Sequence, residues 1–329
     1  MDTSSPLDQL TAYAALYRES LPLIEPVPAG TIRPFWSVLI PTFNPSEALL
    51  TETLHSLLQQ DPGPEAMEIL VVDDASTQFD PEPVVTRLGQ GRIKFLRNPH
   101  TLGLAINWNA CLQTATGHWI HFLHQDDTLL PGFYDRLRPP IEHNPDIGAA
   151  YCRVYGVNAS GRITWTSSQD RPEAGIVEDY LERQARWNRV QVVGIVVRRS
   201  VYETIGGFNA RLCYAPDWDM WKRIGVFSKV WFEPECLACY RHHADSTTNK
   251  LRRAGQALTD ERRAIEFSRH YLPEHIYRLS TRFALLKNMQ WASHSAQHSL
   301  KQGDLAGAFN QSLELSSTAL HWLRLNLFG

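Results

Sequence analysis

The sequence predicts an α/β protein: a Rossmann-like, mostly parallel central sheet flanked by helices, followed by a C-terminal helical appendage. Two observations predict it. Through residues 35–130 short apolar runs that end in polar residues alternate with stretches of helical periodicity, the pattern of strands joined by helical crossovers, which force parallel neighbours. Beyond residue 251 the strand-like runs stop, and the chain reads as helix broken at Pro273 and Gly303. The division that follows is a helix and extended lead-in over 1–34, an α/β domain over 35–250 and a helical region over 251–329.

Each element has its own justification. Pro22, Pro26, Pro28 and Pro34 break up the N-terminal segment and leave room for a short helix over 7–19. A strand over 37–40 stops at Pro41, and one over 69–72 stops at Asp73 and Asp74; Leu50, Leu54, Leu57 and Leu58 between them share a helix face. That βαβ unit takes a right-handed crossover. A strand over 93–96, a helix over 104–115 with Ala105, Trp108, Cys111, Leu112 and Ala115 inward, and a strand over 118–123 continue the alternation. After Pro131 the pattern loosens, with strands at 147–157, 163–165, 191–197, 230–232 and 237–241 and a helix over 217–225.

Composition narrows the function. The chain has 329 residues, 43% hydrophobic and 20% charged, with a net charge of -3. It lacks the broad basic surface that neutralises a run of phosphates, so nucleic acid is excluded as the main partner. Five cysteines without framework spacing point to free thiols in a reducing compartment, the cytoplasm. The first residues, Asp2, Thr3, Ser4 and Ser5, are polar, and no stretch reaches the ~18 apolar residues of a membrane span. Any membrane contact is therefore peripheral, at the inner face of the plasma membrane, with the C-terminal helices and their apolar end (Leu320, Trp322, Leu323) as the candidate surface.

Open α/β sheets gather ligands at the carboxyl ends of their strands. Here those ends carry Thr42 and Asn44, Asp73 and Asp74, and Asp126 and Asp127. Adjacent carboxylates such as Asp126 and Asp127 repel unless a cation or proton neutralises them, so a divalent metal is one reading and a turn or helix cap the other. Asp73 and Asp74 are placed to accept from a nucleobase N–H or a ribose hydroxyl, with Ser76 free to cap the next turn by itself.

These segments, Ser37-Val38-Leu39-Ile40-Pro41-Thr42-Phe43-Asn44, Glu68-Ile69-Leu70-Val71-Val72-Asp73-Asp74-Ala75-Ser76, Asn98 with Gly103, Asn107, Trp108 and Asn109, and Phe122-Leu123-His124-Gln125-Asp126-Asp127, resemble the family 2 glycosyltransferases in order and spacing over roughly residues 35–246. The resemblance implies a glycosyltransferase A fold, a nucleoside-diphosphate-sugar donor, UDP- or dTDP-linked, a divalent cation (Mn²⁺ or Mg²⁺) and inversion at the anomeric carbon. It makes 35–130 the nucleotide-sugar half and 131–250 the acceptor half. Pro41, Thr42, Asn44, Asp73, Asp74, Asn107 and Asp126 would bind the donor, and Asp126, Asp127 and His243 the metal. His124 stands where the family's Asp-x-Asp pattern begins with an aspartate.

On the acceptor side, Gly206-Gly207-Phe208-Asn209 and Pro216-Asp217-Trp218-Asp219 resemble the family's Glu-Asp motif before a helix, with Pro216 in place of the glutamate. An inverting transfer needs a base opposite the leaving diphosphate, and Asp217 is the candidate; capping its helix is the alternative role. Trp218, Asp219 and Trp187 are the candidate acceptor-side residues, with a glycan or lipid-linked hydroxyl as the acceptor. Tyr240-Arg241-His242-His243 resembles the family's closing Arg-x-His segment. Cys236 and Cys239 with His242 and His243 have the residue types of a zinc site, but alternation along a strand keeps them from converging.

Two rival readings remain. A nucleotidyltransferase would need a Gly-rich basic loop after the first strand, and Pro41-Thr42-Phe43-Asn44-Pro45-Ser46-Glu47 holds no Gly, Lys or Arg. A non-catalytic nucleotide-sugar-binding or scaffold protein on the same fold is motivated by His124 and Pro216 standing where acids are usual.

Overall fold

The structure, a computed structural model, describes residues 6–243 and 246–327; Asp2 to Ser5 and Phe328 lie outside the described residues. The first half runs α1 (Pro6–Leu16), β1 (Trp36–Thr42), α2 (Glu47–Leu58), β2 (Met67–Asp73), α3 (Glu82–Gly89), β3 (Lys94–Arg97), α4 (Leu104–Thr114) and β4 (Trp119–Phe122). These four strands pair in parallel in the order β3-β2-β1-β4. All seven residues of β1 are buried, as expected of a strand covered by helices on both faces.

The second half supplies β5 (Thr128–Leu129), α5 (Phe133–His143), β6 (Ile147–Asn158), β7 (Ile163–Thr166), β8 (Gly175–Ile176), α6 (Tyr180–Arg186), β9 (Ile195–Arg198) after a 3₁₀ turn at Val192–Gly194, α7 (Arg199–Ile205), α8 (Pro216–Phe227) and β10 (Lys229–His242). The sheet continues β4-β9-β6-β10-β5. Because β9 is antiparallel to both β4 and β6, and β10 is parallel to β6, the strands β1, β2, β3, β4, β6 and β10 all point their carboxyl ends to one edge. The start of β9 lies at that same edge.

Several elements differ from the sequence expectation. Two expected strands over 230–232 and 237–241 are a single β10, because register shifts around Pro234 carry the chain past the missing N–H without ending the strand. Helix α5 contains Pro139 and Pro140, the residues that conceal it from a periodicity argument.

The C-terminal region folds as α9 (Thr247–Arg253), α10 (Gln256–Ser268), α11 (Glu274–Lys301) and α12 (Leu305–Leu327), with the breaks at Pro273 and Gly303. Apolar residues fill both sheet faces, Val38 and Ile40 facing one cluster and Leu39 the other. The second of these clusters runs from Leu10 and Tyr13 of α1 through Leu39 and Phe122 to Ile276 and Leu285 of α11. Terminal segments and sheet therefore share one core. The lead-in is tied down as well: Ala210 donates to the Ser20 carbonyl at 2.7 Å and Gly207 to that of Pro22 at 2.9 Å.

Candidate active site

The polar edge is built by loops that fasten one another. After β1, Asn44 adopts a left-handed backbone (φ 45) and its Oδ1 accepts the N–H groups of Thr77 and Gln78 at 2.8 and 2.9 Å. Its own N–H donates to Ser76 Oγ at 2.8 Å. After β2, Ala75 is left-handed too (φ 55), a conformation that costs about 1 kcal/mol and that surrounding bonds must hold. Phe43 and Gln125 exchange hydrogen bonds of 2.8 and 3.2 Å, which join the β1 loop to the β4 loop.

Inside this edge the expected donor residues fall into two groups. Pro41, Thr42, Asp73, Asp74 and Asn107 are buried and committed to the scaffold. Asp73 accepts from Arg97 Nε at 2.8 Å and from both the N–H and the hydroxyl of Ser76, so the expectation that Ser76 caps by itself and frees the aspartate is corrected. Asp74 accepts from Asn98 Nδ2 and Leu102 N on Oδ1 at 2.9 and 2.8 Å, and from Gly103 N on Oδ2 at 2.9 Å. Gly103 has φ 88, a backbone that favours glycine, and it opens α4. Asp74 thus organises this turn. Asn107 is engaged likewise, its amide spanning Asn98 at 2.9 Å and the Val72 carbonyl at 3.3 Å. Asn44 and Asp126 remain partly exposed.

The two expected metal carboxylates diverge. Asp126 Oδ2 lies 2.9 Å from His243 Nε2, both side chains 22% exposed. Asp127 turns inward: Oδ1 accepts the Arg241 N–H at 2.8 Å, and Oδ2 is buried without a hydrogen bond, 3.7 Å from His124 Nδ1. Burial, reinforced by the charge of Asp126, raises its carboxyl well above the usual range. His124 stacks on Trp108 with centroids 5.1 Å apart, and burial lowers its imidazole from the ordinary value. Arg241 pins the turn from below through the Asp126 carbonyl at 3.0 Å and Glu52 at 2.6 Å. A cation here would have two protein donors, Asp126 and His243. This suits a hard divalent ion that keeps its other positions for water and phosphate oxygens, and no group of three or more acid, His or Cys ligands is present among the described residues.

Asp217 reaches the same edge from the first turn of α8. Its Oδ2 accepts from Asn188 Nδ2 at 2.7 Å and its Oδ1 from Trp218 N at 2.8 Å. Asn188 precedes the 3₁₀ turn that starts β9, next to the carboxyl end of β4 and hence on the side of Asp126. Burial pushes the Asp217 carboxyl up to about 6 against these hydrogen bonds. Glu261 of α10 is another partly buried acid in the neighbourhood, pushed up to about 7 by desolvation, with the charge of Asp217 contributing.

Asp219 and Trp218, expected on the acceptor side, lie in the core. Asp219 is fully buried, pairs with the equally buried Arg223 at 2.9 Å and accepts from the Tyr271 hydroxyl at 2.8 Å. Trp218 is 3% exposed and donates its indole N–H to the Gln184 carbonyl at 2.7 Å. Their helical spacing puts them on the inner face, while Asp217 stays partly accessible. Trp187 is exposed (38%), one residue before Asn188. Sequence reasoning missed Asn188 and Asp260. The Asp260 carboxylate receives the N–H groups of Cys213, Tyr214 and Ala215 at 3.0, 2.7 and 2.9 Å and so fixes the loop that delivers Asp217; neither residue sits in a recognisable pattern.

The chain is similar to known proteins. An uncharacterised protein of Mycobacterium tuberculosis is 32% identical over 250 residues, 73% of this chain and 77% of that protein. Among solved structures, the Pyrobaculum calidifontis mannosyltransferase PcManGT in complex with GDP-Man and Mn²⁺ has a TM-score of 0.54 at 17% identity, covering 97% of this chain and 99% of its own. The S. aureus TarS 1–349 structure in complex with UDP-GlcNAc has a TM-score of 0.55 at 16% identity, covering 86% and 91%. The fold is therefore that of the glycosyltransferase A class, as the sequence predicts. The model of the family described as "Glycosyl transferase family 2" matches residues 37–206, more than half of the chain, and with it this chain belongs to the family 2 glycosyltransferases.

Proposed function

We propose that the chain transfers a hexosyl group, with inversion, from a nucleoside-diphosphate sugar, UDP- or dTDP-linked, to a hydroxyl of a glycan or lipid-linked acceptor, with Asp217 as general base. The observation that carries this reading is the Asp217 carboxyl. It is held by Asn188 at 2.7 Å, on the edge that also bears Asp126, and its affinity for a proton is raised to about 6. Such a group is ionised at neutral pH yet is a better base than an ordinary carboxylate, and a positioned base accelerates proton removal by about 10²–10⁴-fold.

Asp126 and His243 would hold Mn²⁺ or Mg²⁺, which when bound neutralises charge on the departing diphosphate. Asn44 and the loop of Phe43 and Asn44 would receive the nucleotide, and Asp74 keeps their neighbouring turn in shape. The nucleotide-sugar and Mn²⁺ complexes of the structural neighbours support the donor and metal assignments. An exposed row on α12, with Leu305, Phe309, Leu313, Leu320 and Leu323 between 44 and 71% exposed, supports peripheral contact with the inner face of the plasma membrane; among the described residues no helix is long and apolar enough to cross it. A thermal-shift screen of nucleotide sugars with and without Mn²⁺ tests the donor reading, since a ligand that binds the native state raises its melting temperature. If no nucleoside-diphosphate sugar moves the melting temperature with Mn²⁺ present, the reading fails.

A further inference from the structure

Beside the proposed base the surface changes character. Trp187, at the end of α6, stacks on Phe283 of α11 with centroids 5.4 Å apart at 29°. Around this pair stand Arg189, 5.0 Å over the Trp187 ring, Lys287, 5.8 Å from both rings, and Arg186, 5.9 Å over Phe283. Arg189 also pairs with Asp170, while its Nε is buried without a hydrogen bond. Arg186 and Lys287 are exposed and have no carboxylate within ion-pair distance among the described residues. With Phe283 stacked on it and cations over it, the indole is no bare platform for a neutral sugar. The rings instead stand under three cations, of which only Arg189 is paired, with an Asp170 that Arg183 also approaches.

We propose that the Trp187–Phe283 pair with Arg186, Arg189 and Lys287 is an acceptor subsite for a phosphate group, so that the acceptor is a phosphate-bearing glycan. This deepens the reading of Asp217 as base and rests on it, because Asn188, between Trp187 and Arg189, is the residue that holds Asp217. A phosphate bound here sits next to the hydroxyl to be deprotonated. Planar guanidinium groups suit phosphate oxygens, and Arg186 and Lys287 stand exposed beside the ring pair with no carboxylate of their own. The phosphate belongs either to a lipid-linked sugar phosphate or to a phosphate-containing polymer, both of which present it on the sugar.

The test is calorimetric titration of the full chain, its donor site saturated with nucleoside diphosphate and Mn²⁺, using hexose phosphates and the matching methyl hexosides. Phosphatidylglycerol vesicles form a separate arm. The expected result is that at least one hexose phosphate binds about tenfold more tightly than its methyl hexoside. The difference disappears in an Arg186→Ala, Lys287→Ala double variant, whose nucleotide binding and Tm are unchanged because both side chains are exposed. Equal binding of the phosphorylated and neutral sugars overturns the proposal, as does a preference that survives the double variant. Vesicle binding lost in the variant without any preference among sugars gives the patch to lipid headgroups and also overturns it. Failure of the chain to take up nucleoside diphosphate at all is a different result, and it sinks the donor reading instead.

Discussion

Replacing Asp217 by Asn separates the stability of the fold from its proposed chemistry. In the native chain the carboxyl titrates near 6 instead of the ordinary 3.8, chiefly because it is buried. A group whose folded pKa is raised contributes stability that is fully present below the unfolded value and is lost as pH rises through the folded one. At pH 8 the folded state therefore carries an ionisation penalty of about 3 kcal/mol, from a shift of about two units at 1.36 kcal/mol each. Asn has no charge to bury but keeps an acceptor for only one of the two donors, Asn188 Nδ2 and Trp218 N, a pH-independent loss of about 1 kcal/mol. Relative to the native chain the variant should therefore gain about 3 kcal/mol between pH 3 and pH 8, about half of it by pH 5, on top of that constant loss. Urea unfolding at these pH values reads the difference. Sugar transfer by the same variant should fall about 10²–10⁴-fold while donor binding is retained, and native activity should decline tenfold per pH unit below about 6. A stability difference that stays constant between pH 4 and pH 8 would refute the electrostatic argument, and undiminished transfer would refute the role of Asp217.

Other perturbations address the scaffold and the cation. Asp219→Ala leaves the Arg223 guanidinium buried without its carboxylate and should destabilise the fold by about 3–5 kcal/mol in denaturant unfolding. Asp74→Ala unpairs the N–H groups of Leu102 and Gly103, and a loss of about 3 kcal/mol in thermal or urea unfolding is expected, accompanied by weaker donor binding. Asp126→Ala removes one of the two protein donors beside His243; the Mn²⁺ concentration for half-maximal transfer should rise about tenfold or more, while Tm measured without metal changes little.

The first half of the fold was legible because its signals are local. Apolar runs such as Val38-Leu39-Ile40 and Val71-Val72 are buried on both faces and need no partner to be recognised. The second half was harder, since Pro139, Pro140 and Pro234 sit inside elements whose tertiary contacts outweigh the local penalty. At the site, sequence order located the right segments but not the direction of each side chain. Asp126 and Asp127 are neighbours in the chain, and the turn sends one toward His243 and the other toward the backbone of Arg241. Similarly, the acid content of Asp73-Asp74 suggested open acceptors, whereas the left-handed turns that follow them absorb both carboxylates.

The C-terminal helices matter more to the site than an appendage would. The loop leading into α8 contains three successive N–H groups, from Cys213 to Ala215, that have no strand or helix to bond with. Left to water, that loop would sample many conformations, and the first turn of α8 would carry Asp217 with it. One oxygen of Asp260 collects all three, and Arg252 reaches the Tyr214 hydroxyl at 3.0 Å. Both residues come from beyond position 250. Burial of Asp260 raises its carboxyl while the three N–H groups lower it, so the bonds are what allow a carboxylate to stay in this place. The precision with which Asp217 faces Asn188 is therefore set by residues far along the chain, and the motif around Asp217 is incomplete without them.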